Sequence, residues 1–152
     1  MIECTFELNN KPMSSLKCNG QAFPAFSGLS GHRNSRSSAC LQDEGPIPPG
    51  IYYIIDRQSG GLLGPLRDLF RDHDTWFALY ANDGKIDDEV VCNKIKRGSF
   101  RIHPKGTFGI SKGCITIESI IDFQRLRVFL KGTKQESIPG TNISAYGKVV
   151  VK

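Results

Sequence analysis

Apolar and polar residues alternate along the first part of the chain. From Ile2 to Leu8 every second residue is apolar, which places these side chains on one face of a β-strand. Asn9-Asn10 and Asn19-Gly20 supply residues typical of tight turns. The pattern predicts two or three antiparallel strands at the N-terminus.

Further strands are predicted where short apolar segments recur. The continuous apolar run Ile51–Ile55 follows a Pro-Gly pair and indicates a central strand buried on both faces. In the predicted strand Trp76–Tyr80 the two end residues share one face, and we expect them in the core. The remaining predicted strands are Glu89–Cys92, Phe100–His103, Ile115–Ile117 and the C-terminal K-V-V-V-K.

Loops and helices separate these strands. Ser27–Pro49 is dense in Gly, Ser, Pro and Asn, which indicates a long surface loop of the kind that often carries function. A short helix is predicted at Pro65–Arg71, with proline at its first position. Ser119 and Asp122 resemble an N-cap pair that begins a helix running to about Lys131. The predicted fold class is mainly β or α+β: a mixed β-sheet or flattened barrel with one or two short helices.

Length and composition limit the class of protein. A chain of 152 residues with 39% hydrophobic and 23% charged residues is long enough for one domain, 1–152, with a real core. No apolar run approaches the roughly 20 residues that span a bilayer, so no membrane insertion is expected. Met1–Leu8 lacks a basic segment followed by an apolar one, and we therefore expect no cleaved signal peptide.

The net charge of +5 is mild, and the basic residues are scattered along the chain. This distribution argues against nucleic-acid binding. A weak positive field favours adsorption to an anionic polymer, and a simple solvated basic surface explains the same charge equally well.

The chain has an odd number of cysteines, with no C-x-x-C pair among them. Neither a metal site nor a cofactor is predicted. In an oxidising compartment one cysteine must stay unpaired, and Cys114 is the natural candidate because of its motif. The other four form up to two disulfides or remain small buried apolar side chains: Cys4, Cys18, Cys40 and Cys92.

The segment Arg101–Thr116 carries the candidate chemistry. It places His103 and Cys114 at the two ends of a glycine-punctuated loop, a pairing typical of a cysteine nucleophile and its base. Gly113 leaves room for a carbonyl substrate beside the thiol, and the N–H groups near it are a candidate oxyanion hole.

The second ring nitrogen of His103 needs a partner that fixes the tautomer. A backbone carbonyl near Pro104–Gly106 and the hydroxyl of Ser111 are the two candidates. His32 lies in the long Ser/Gly loop and is a candidate substrate contact. His73 stands between two aspartates and is expected to be a solvated surface residue.

These residues resemble a known family. The sequence H-P-K-G followed by G-C-I, with Ser111 three positions before the cysteine, resembles the catalytic signature of L,D-transpeptidases. It is more similar to the compact branch of that superfamily found as type VI secretion effectors, in which a short histidine-to-cysteine loop ends in G-C-I. Lys112 stands where many L,D-transpeptidases carry histidine or arginine.

Two upstream segments extend the resemblance over roughly Phe23–Thr116. F-P-A-F-S-G-L-S-G (Phe23–Gly31) is similar to the first substrate-side loop of those effectors. G-P-I-P-P-G-I-Y (Gly45–Tyr52) is similar to the start of their P-x-G-x-Y strand.

The resemblance implies an L,D-transpeptidase-like fold and a peptidoglycan-modifying cysteine enzyme. The implied substrate is the diaminopimelate–D-alanine bond of tetrapeptide stems, and the outcome is L,D-carboxypeptidase cleavage or transpeptidase exchange. An ordinary exposed loop lysine is an equally good interpretation of Lys112. Plain turn chemistry explains Ser27, Gly28 and Arg33 nearly as well as substrate binding does. The implied catalytic residues are Cys114, His103, Gly113 and Ser111. The implied substrate-binding residues are Lys112, Ser27, Gly28, Arg33 and His32.

The resemblance also implies partners and a place of action. A cognate immunity protein and a component of the secretion apparatus are expected, whereas nucleic acid is not. Contact-dependent injection without a cleaved signal peptide would bring the enzyme to the periplasm of a target cell.

Two other functions remain open. A cell-wall amidase or endopeptidase of another fold would also use a cysteine, but papain-like enzymes place the cysteine before the histidine. A noncatalytic basic module that binds cell wall or nucleic acid would keep its function without the Cys114 thiol, and its affinity would fall steeply with salt.

Overall fold

The computed structural model describes residues 1–57 and 75–152. The described helix is α1 (Ile120–Lys131), and a 3-10 turn lies at Arg36–Ser38. The predicted helix Pro65–Arg71 and His73 lie outside the described residues. The described strands are β1 (Ile2–Phe6), β2 (Ser14–Cys18), β3 (Gln21–Phe26), β4 (Gly50–Asp56), β5 (Phe77–Ala81), β6 (Glu89–Cys92), β7 (Ile95–Gly98), β8 (Arg101–Pro104), β9 (Ile115–Ile117), β10 (Glu136–Ser137), β11 (Ser144–Ala145) and β12 (Gly147–Val151).

Eight of the described strands close into a barrel in the order β1-β12-β4-β5-β8-β9-β3-β2. The pairs β1–β12 and β8–β9 are parallel, and the other neighbours are antiparallel. Two separate hairpins, β6–β7 and β10–β11, lie outside the barrel. The predicted mainly β fold, a mixed sheet or flattened barrel with short helical elements, is confirmed.

The N-terminal hairpin forms as its sequence pattern predicts. Cys18 pairs with Gln21, so Asn19 and Gly20 are a two-residue turn between β2 and β3. Their φ angles of 50° and 81° are the positive values that Asn-Gly accepts readily. Local turn chemistry therefore sets the register of this hairpin.

Strand β4 runs through the middle of the sheet and is buried on both faces. Tyr52 and Ile54 belong to the main core cluster, whereas Tyr53 and Ile55 belong to a second cluster beside β11. Ile51, at the start of the predicted run, is 42% exposed. The prediction of a doubly buried central strand is confirmed from Tyr52 onward.

Helix α1 packs against β3, β8 and β9. Ser119 caps its N-terminus by accepting a 3.4 Å hydrogen bond from the Asp122 N–H, as the sequence predicts. Phe123, Leu126 and Leu130 are buried in the main core. Their i, i+3, i+7 spacing puts the three side chains on one face, which fixes the helix against the two strands that carry the candidate motif.

Two disulfides and one free thiol account for the cysteines. Cys4–Cys18 joins the paired strands β1 and β2, and Cys40–Cys92 joins the long loop to β6 across 52 residues. Closing loops of this size stabilises a fold by about 3–4 kcal/mol each. Cys114 is the free cysteine, so the prediction that it stays unpaired is confirmed. Disulfides persist in oxidising compartments.

Among the described residues, no helix is both long and apolar enough to cross a membrane.

Candidate active site

The parallel pair β8–β9 carries the candidate residues on one face. His103 pairs with Thr116, and Ile102 pairs with Ile115. Both isoleucines are completely buried in the barrel core, so their neighbours in sequence face the outside of the barrel. Cys114 comes two residues before Thr116 and shares its face. The structure thus brings the cysteine and the histidine to the same outer face of two adjacent strands.

The orientation of His103 is set by its backbone. Nδ1 lies 2.8 Å from the Pro104 carbonyl oxygen, which only accepts, so Nδ1 carries a proton and the neutral ring keeps its lone pair on Nε2. Nε2 lies 3.5 Å from Thr116 Oγ1, and the ring stacks on Trp76 with centroids 4.4 Å apart. Of the two candidate partners, the backbone carbonyl is the one found, because the Ser111 hydroxyl bonds elsewhere.

The Cys114 thiol is half-buried and lies 3.8 Å from the Ser99 carbonyl oxygen. Burial raises the pKa of the Cys114 thiol, and the negative charge of Asp88 raises it further. Arg101 lowers this pKa through its backbone N–H and its guanidinium. Burial is the largest of these effects, and the pKa of the thiol is raised overall. The resting cysteine is therefore a neutral thiol. A nucleophile of this kind needs a base at the moment of attack, which is the role that His103 can perform.

Arg101 is held next to the thiol by an ion pair. Its guanidinium donates two hydrogen bonds to Asp88, at 2.7 and 2.6 Å. The side chain of Arg101 is 16% exposed and that of Asp88 is 32% exposed, so the pair is partly desolvated. This bidentate contact fixes a positive charge near Cys114.

Replacing Arg101 by methionine should shift alkylation of Cys114 by iodoacetamide to higher pH, by about one unit. The guanidinium favours the thiolate, and without it the negative charge of Asp88 acts on the thiol with one opposing cation fewer. The measurement is the alkylation rate as a function of pH, with Arg125→Met on α1 as the matched control. A profile for Arg101→Met that coincides with that of the wild type would contradict this electrostatic account.

Three consecutive carbonyl groups at the end of the loop are held by donors from inside the protein. Each donor belongs to a side chain that is at least 90% buried. The three bonds are Arg97 Nη2 to the Lys112 oxygen at 3.1 Å, Ser27 Oγ to the Gly113 oxygen at 3.0 Å, and Ser111 Oγ to the Cys114 oxygen at 2.7 Å.

This arrangement determines where the N–H groups point. In a trans peptide the C=O and the following N–H have opposite directions, so the Gly113 and Cys114 N–H groups point away from the interior donors. Neither N–H donates to an acceptor in the part of the chain that the structure describes. Two such N–H groups beside a thiol form a site for an anionic oxygen.

Ser27 and Gly28 lie beneath this turn. The Ser27 hydroxyl accepts the Ile47 N–H at 2.8 Å while it donates to Gly113, and the residue is completely buried. The Gly28 N–H donates to Ser111 Oγ at 3.1 Å. The resemblance implies that both residues line the substrate cleft. Because their polar groups face inward and are bonded, the geometry supports a positioning role instead.

The other predicted contacts are Lys112, His32 and Arg33. The Lys112 side chain is exposed immediately before Gly113. His32 Nδ1 lies 2.9 Å from Ser38 Oγ. Arg33 stacks on Phe26 at 3.9 Å and donates to the Gly109 carbonyl at 3.4 Å, so it supports the loop that joins His103 to Cys114.

Gly113 is required by the packing behind the turn. Its φ is +120°, and a Cβ there would lie 2.6 Å from both Arg97 Nη2 and Phe100 Cε1. The sequence suggested that the missing side chain makes room for substrate. This explanation is wrong, because a Cβ at Gly113 would point toward Arg97 and Phe100 in the interior and not toward the substrate.

Substituting Gly113 by alanine should destabilise the protein by about 2–6 kcal/mol, combining backbone strain with overpacking, and should remove turnover. The matched control is Gly106→Ala, because a Cβ at Gly106 meets nothing within 4 Å and its φ lies outside the positive range. Thermal unfolding and turnover of the two variants provide the test. Equal stability of the two would mean that the turn tolerates a side chain.

Several residues of the site escape sequence reasoning. Arg101 lies two residues before His103 and Thr116 lies two residues after Cys114. This alternation places them on the same strand faces as the motif residues and could have identified them. The sequence predicts Trp76 in the core; it packs there in part and also stacks on His103. Arg97 has no local signal, because a lone arginine in a short strand usually faces solvent.

Among the described residues, no three histidine, cysteine, aspartate or glutamate side chains cluster in a way that could hold a metal ion.

Comparison with known proteins identifies the family. A model of the Tlde1 domain matches residues 21–141, a segment that includes the turn, His103 and Cys114. No curated protein and no solved structure matches the chain significantly. Since the family model covers most of the sequence, the chain belongs to the Tlde1 domain family of type VI secretion effectors.

Proposed function

We propose that the protein is a peptidoglycan-modifying cysteine enzyme that cleaves the diaminopimelate–D-alanine bond of tetrapeptide stems through a Cys114 acyl-enzyme. The observation that carries the proposal is the free Cys114 thiol on the same face as His103, beside two outward N–H groups. This combination supplies a nucleophile, a base and an oxyanion site on one face of the β8–β9 pair.

The first half-reaction is acylation. His103 Nε2 accepts the thiol proton as the sulfur attacks the carbonyl carbon of diaminopimelate. The π electrons of the C=O bond move to its oxygen, and the Gly113 and Cys114 N–H groups stabilise the resulting charge. When the C–N bond breaks, His103 returns the proton to the departing nitrogen, so D-alanine leaves as a free amino acid and a thioester remains.

The second half-reaction transfers the acyl group. Water attacks the thioester carbon, His103 accepts a proton from it, and that proton goes to the sulfur as the C–S bond breaks. The products are a tripeptide stem and the free thiol. A free D-amino acid in place of water gives exchange, and the amine of another stem gives a 3–3 crosslink. Trimming and exchange both remove crosslinking donors from the wall.

The surroundings of the turn support a peptide substrate. Lys112 carries an exposed positive charge next to Gly113, and we assign it to a carboxylate of the stem. Arg33 and His32 remain predicted contacts farther along the long loop.

The family and the disulfides support a periplasmic place of action. Type VI secretion effectors are delivered into target cells by contact and have a cognate immunity protein and a secretion apparatus as partners. The periplasm is oxidising, so Cys4–Cys18 and Cys40–Cys92 can persist there, and it is where tetrapeptide stems occur.

Incubation with purified tetrapeptide muropeptides, followed by mass spectrometry, tests the proposal. The expected product is the tripeptide stem together with free D-alanine, and labelled D-methionine in the mixture should appear in the stem if exchange occurs. Release of whole stems or an internal peptide cut would indicate an amidase or endopeptidase and contradict the proposed bond. Binding without any product would favour the noncatalytic module.

A further inference from the structure

Arg97 is a buried cation whose charge is balanced by peptide groups. It is only 4% exposed, and its guanidinium donates to the carbonyl oxygens of Ala39, Gly45, Pro46 and Lys112. In the described ranges no carboxylate forms an ion pair with it. Burying a cation is costly unless its hydrogen bonds are satisfied. A buried guanidinium without a carboxylate partner therefore indicates a specific role.

The guanidinium lies one peptide away from the oxyanion site. The Lys112 carbonyl that it binds belongs to the same peptide unit as the Gly113 N–H. A charged donor on a carbonyl polarises the peptide and makes its N–H a stronger donor. Arg97 therefore affects both the direction and the strength of an N–H group that faces outward beside Cys114.

Arg97 is itself held firmly. Its strand β7 pairs with β6, where Cys92 forms the disulfide to Cys40, and Cys40 adjoins Ala39, one of the four acceptors. The guanidinium also lies over the Phe100 ring at 5.3 Å. The Cys40–Cys92 disulfide and the four carbonyl acceptors restrict the Arg97 side chain to one conformation. A side chain restricted in this way can fix the orientation of a peptide plane.

We propose that Arg97 is a positioning residue for acyl transfer, which holds the Lys112–Gly113 peptide with its N–H toward the oxyanion of the tetrahedral intermediate. The inference rests on the proposed acyl chemistry of Cys114 and adds a group that sets its rate. A reaction of the same sulfur that forms no oxyanion does not need Arg97.

Two reactions of the Cys114 thiol separate these roles. Acylation by p-nitrophenyl acetate passes through a tetrahedral oxyanion, whereas alkylation by iodoacetamide does not. Arg97→Lys keeps the charge, but an ammonium has only three donors and lacks the planar guanidinium geometry, so it cannot bind all four carbonyls. In this variant acylation should fall about 100-fold, the usual effect of losing one oxyanion donor, while alkylation keeps the wild-type rate. The kcat for D-alanine release should fall similarly, with little change in KM.

Ser27→Ala is the second variant, since it removes the donor to the Gly113 carbonyl and leaves the buried cation in place. It should show the same selective loss of acylation and keeps the test decisive if Arg97→Lys unfolds. Tyr146→Phe removes hydrogen bonds to Asp56, which forms none with the turn residues. This variant controls for general destabilisation and should leave both rates unchanged.

The outcomes distinguish this inference from the proposed function. If acylation and alkylation fall together in the folded variants, or neither falls, Arg97 has only a structural role and the inference is overturned. If the wild type releases no D-alanine but the ester reaction shows the selective loss, the proposed substrate is wrong and the role of Arg97 stands.

Discussion

Replacing Cys114 by alanine should abolish the release of D-alanine from tetrapeptide stems, a loss of about four to six orders of magnitude. The sulfur is the proposed nucleophile, and the other four cysteines of the sequence are all held in disulfides. His103→Ala should cause a loss of similar size, because burial raises the pKa of the thiol and the neutral thiol needs a base. The double variant should be about as inactive as either single one, because the two groups act as a unit.

The measurement is D-alanine released per enzyme, determined for the two single variants and the double variant. Circular dichroism and thermal unfolding check that each variant is folded, and Arg125→Met provides a substituted enzyme with an intact site. A folded Cys114→Ala protein with wild-type turnover would rule out the acyl-enzyme. Losses that multiply in the double variant would mean that His103 acts independently of the thiol.

Directing the protein to the periplasm of a Gram-negative cell with an added export signal should reduce viability by orders of magnitude. The same amount of protein in the cytosol should be tolerated. Both disulfides can form in the periplasm, and the proposed substrate is there, whereas the cytosol keeps thiols reduced and contains no crosslinked wall. The expected damage is swelling or lysis during growth.

Viable counts and microscopy of cells carrying matched expression levels provide the measurement. Periplasmic Cys114→Ala should be harmless, and a Cys40→Ser, Cys92→Ser double variant should be less toxic than the wild type because its long loop is no longer tied to the hairpin of Arg97. Equal toxicity in both compartments, or toxicity that survives the loss of Cys114, would indicate a target other than the wall.

Local patterns in the sequence predict most of the individual elements. The helix beginning after Ser119 follows from its capping residues and the apolar spacing that comes after them. The Asn19-Gly20 turn follows from residues that tolerate positive φ. The strand β7 is missed because its turn is made by Asn93 and Lys94, and a lysine at φ 66° carries no turn signal. The strands β10 and β11 have two residues each, too few for a pattern.

The candidate chemistry is likewise visible in part. The histidine and cysteine of one glycine-rich loop predict a nucleophile and its base, and an odd number of cysteines predicts one free thiol. The sequence does not decide which of two groups orients His103, because a hydrogen bond of 2.8 Å to a backbone oxygen depends on the path of the chain after β8.

By itself, the sequence determined most of the barrel strands and helix α1, the spacing of His103 and Cys114, and the resemblance to type VI secretion effectors. The tertiary structure decided the parallel pairing of β8 with β9, the disulfide partners, the inward position of Ser27 and the burial of Arg97. The physical reason is the range of the interactions. Periodicity, capping and turn residues act between near neighbours, whereas register, burial and the bonding of three successive carbonyls depend on segments that meet only after the barrel has closed.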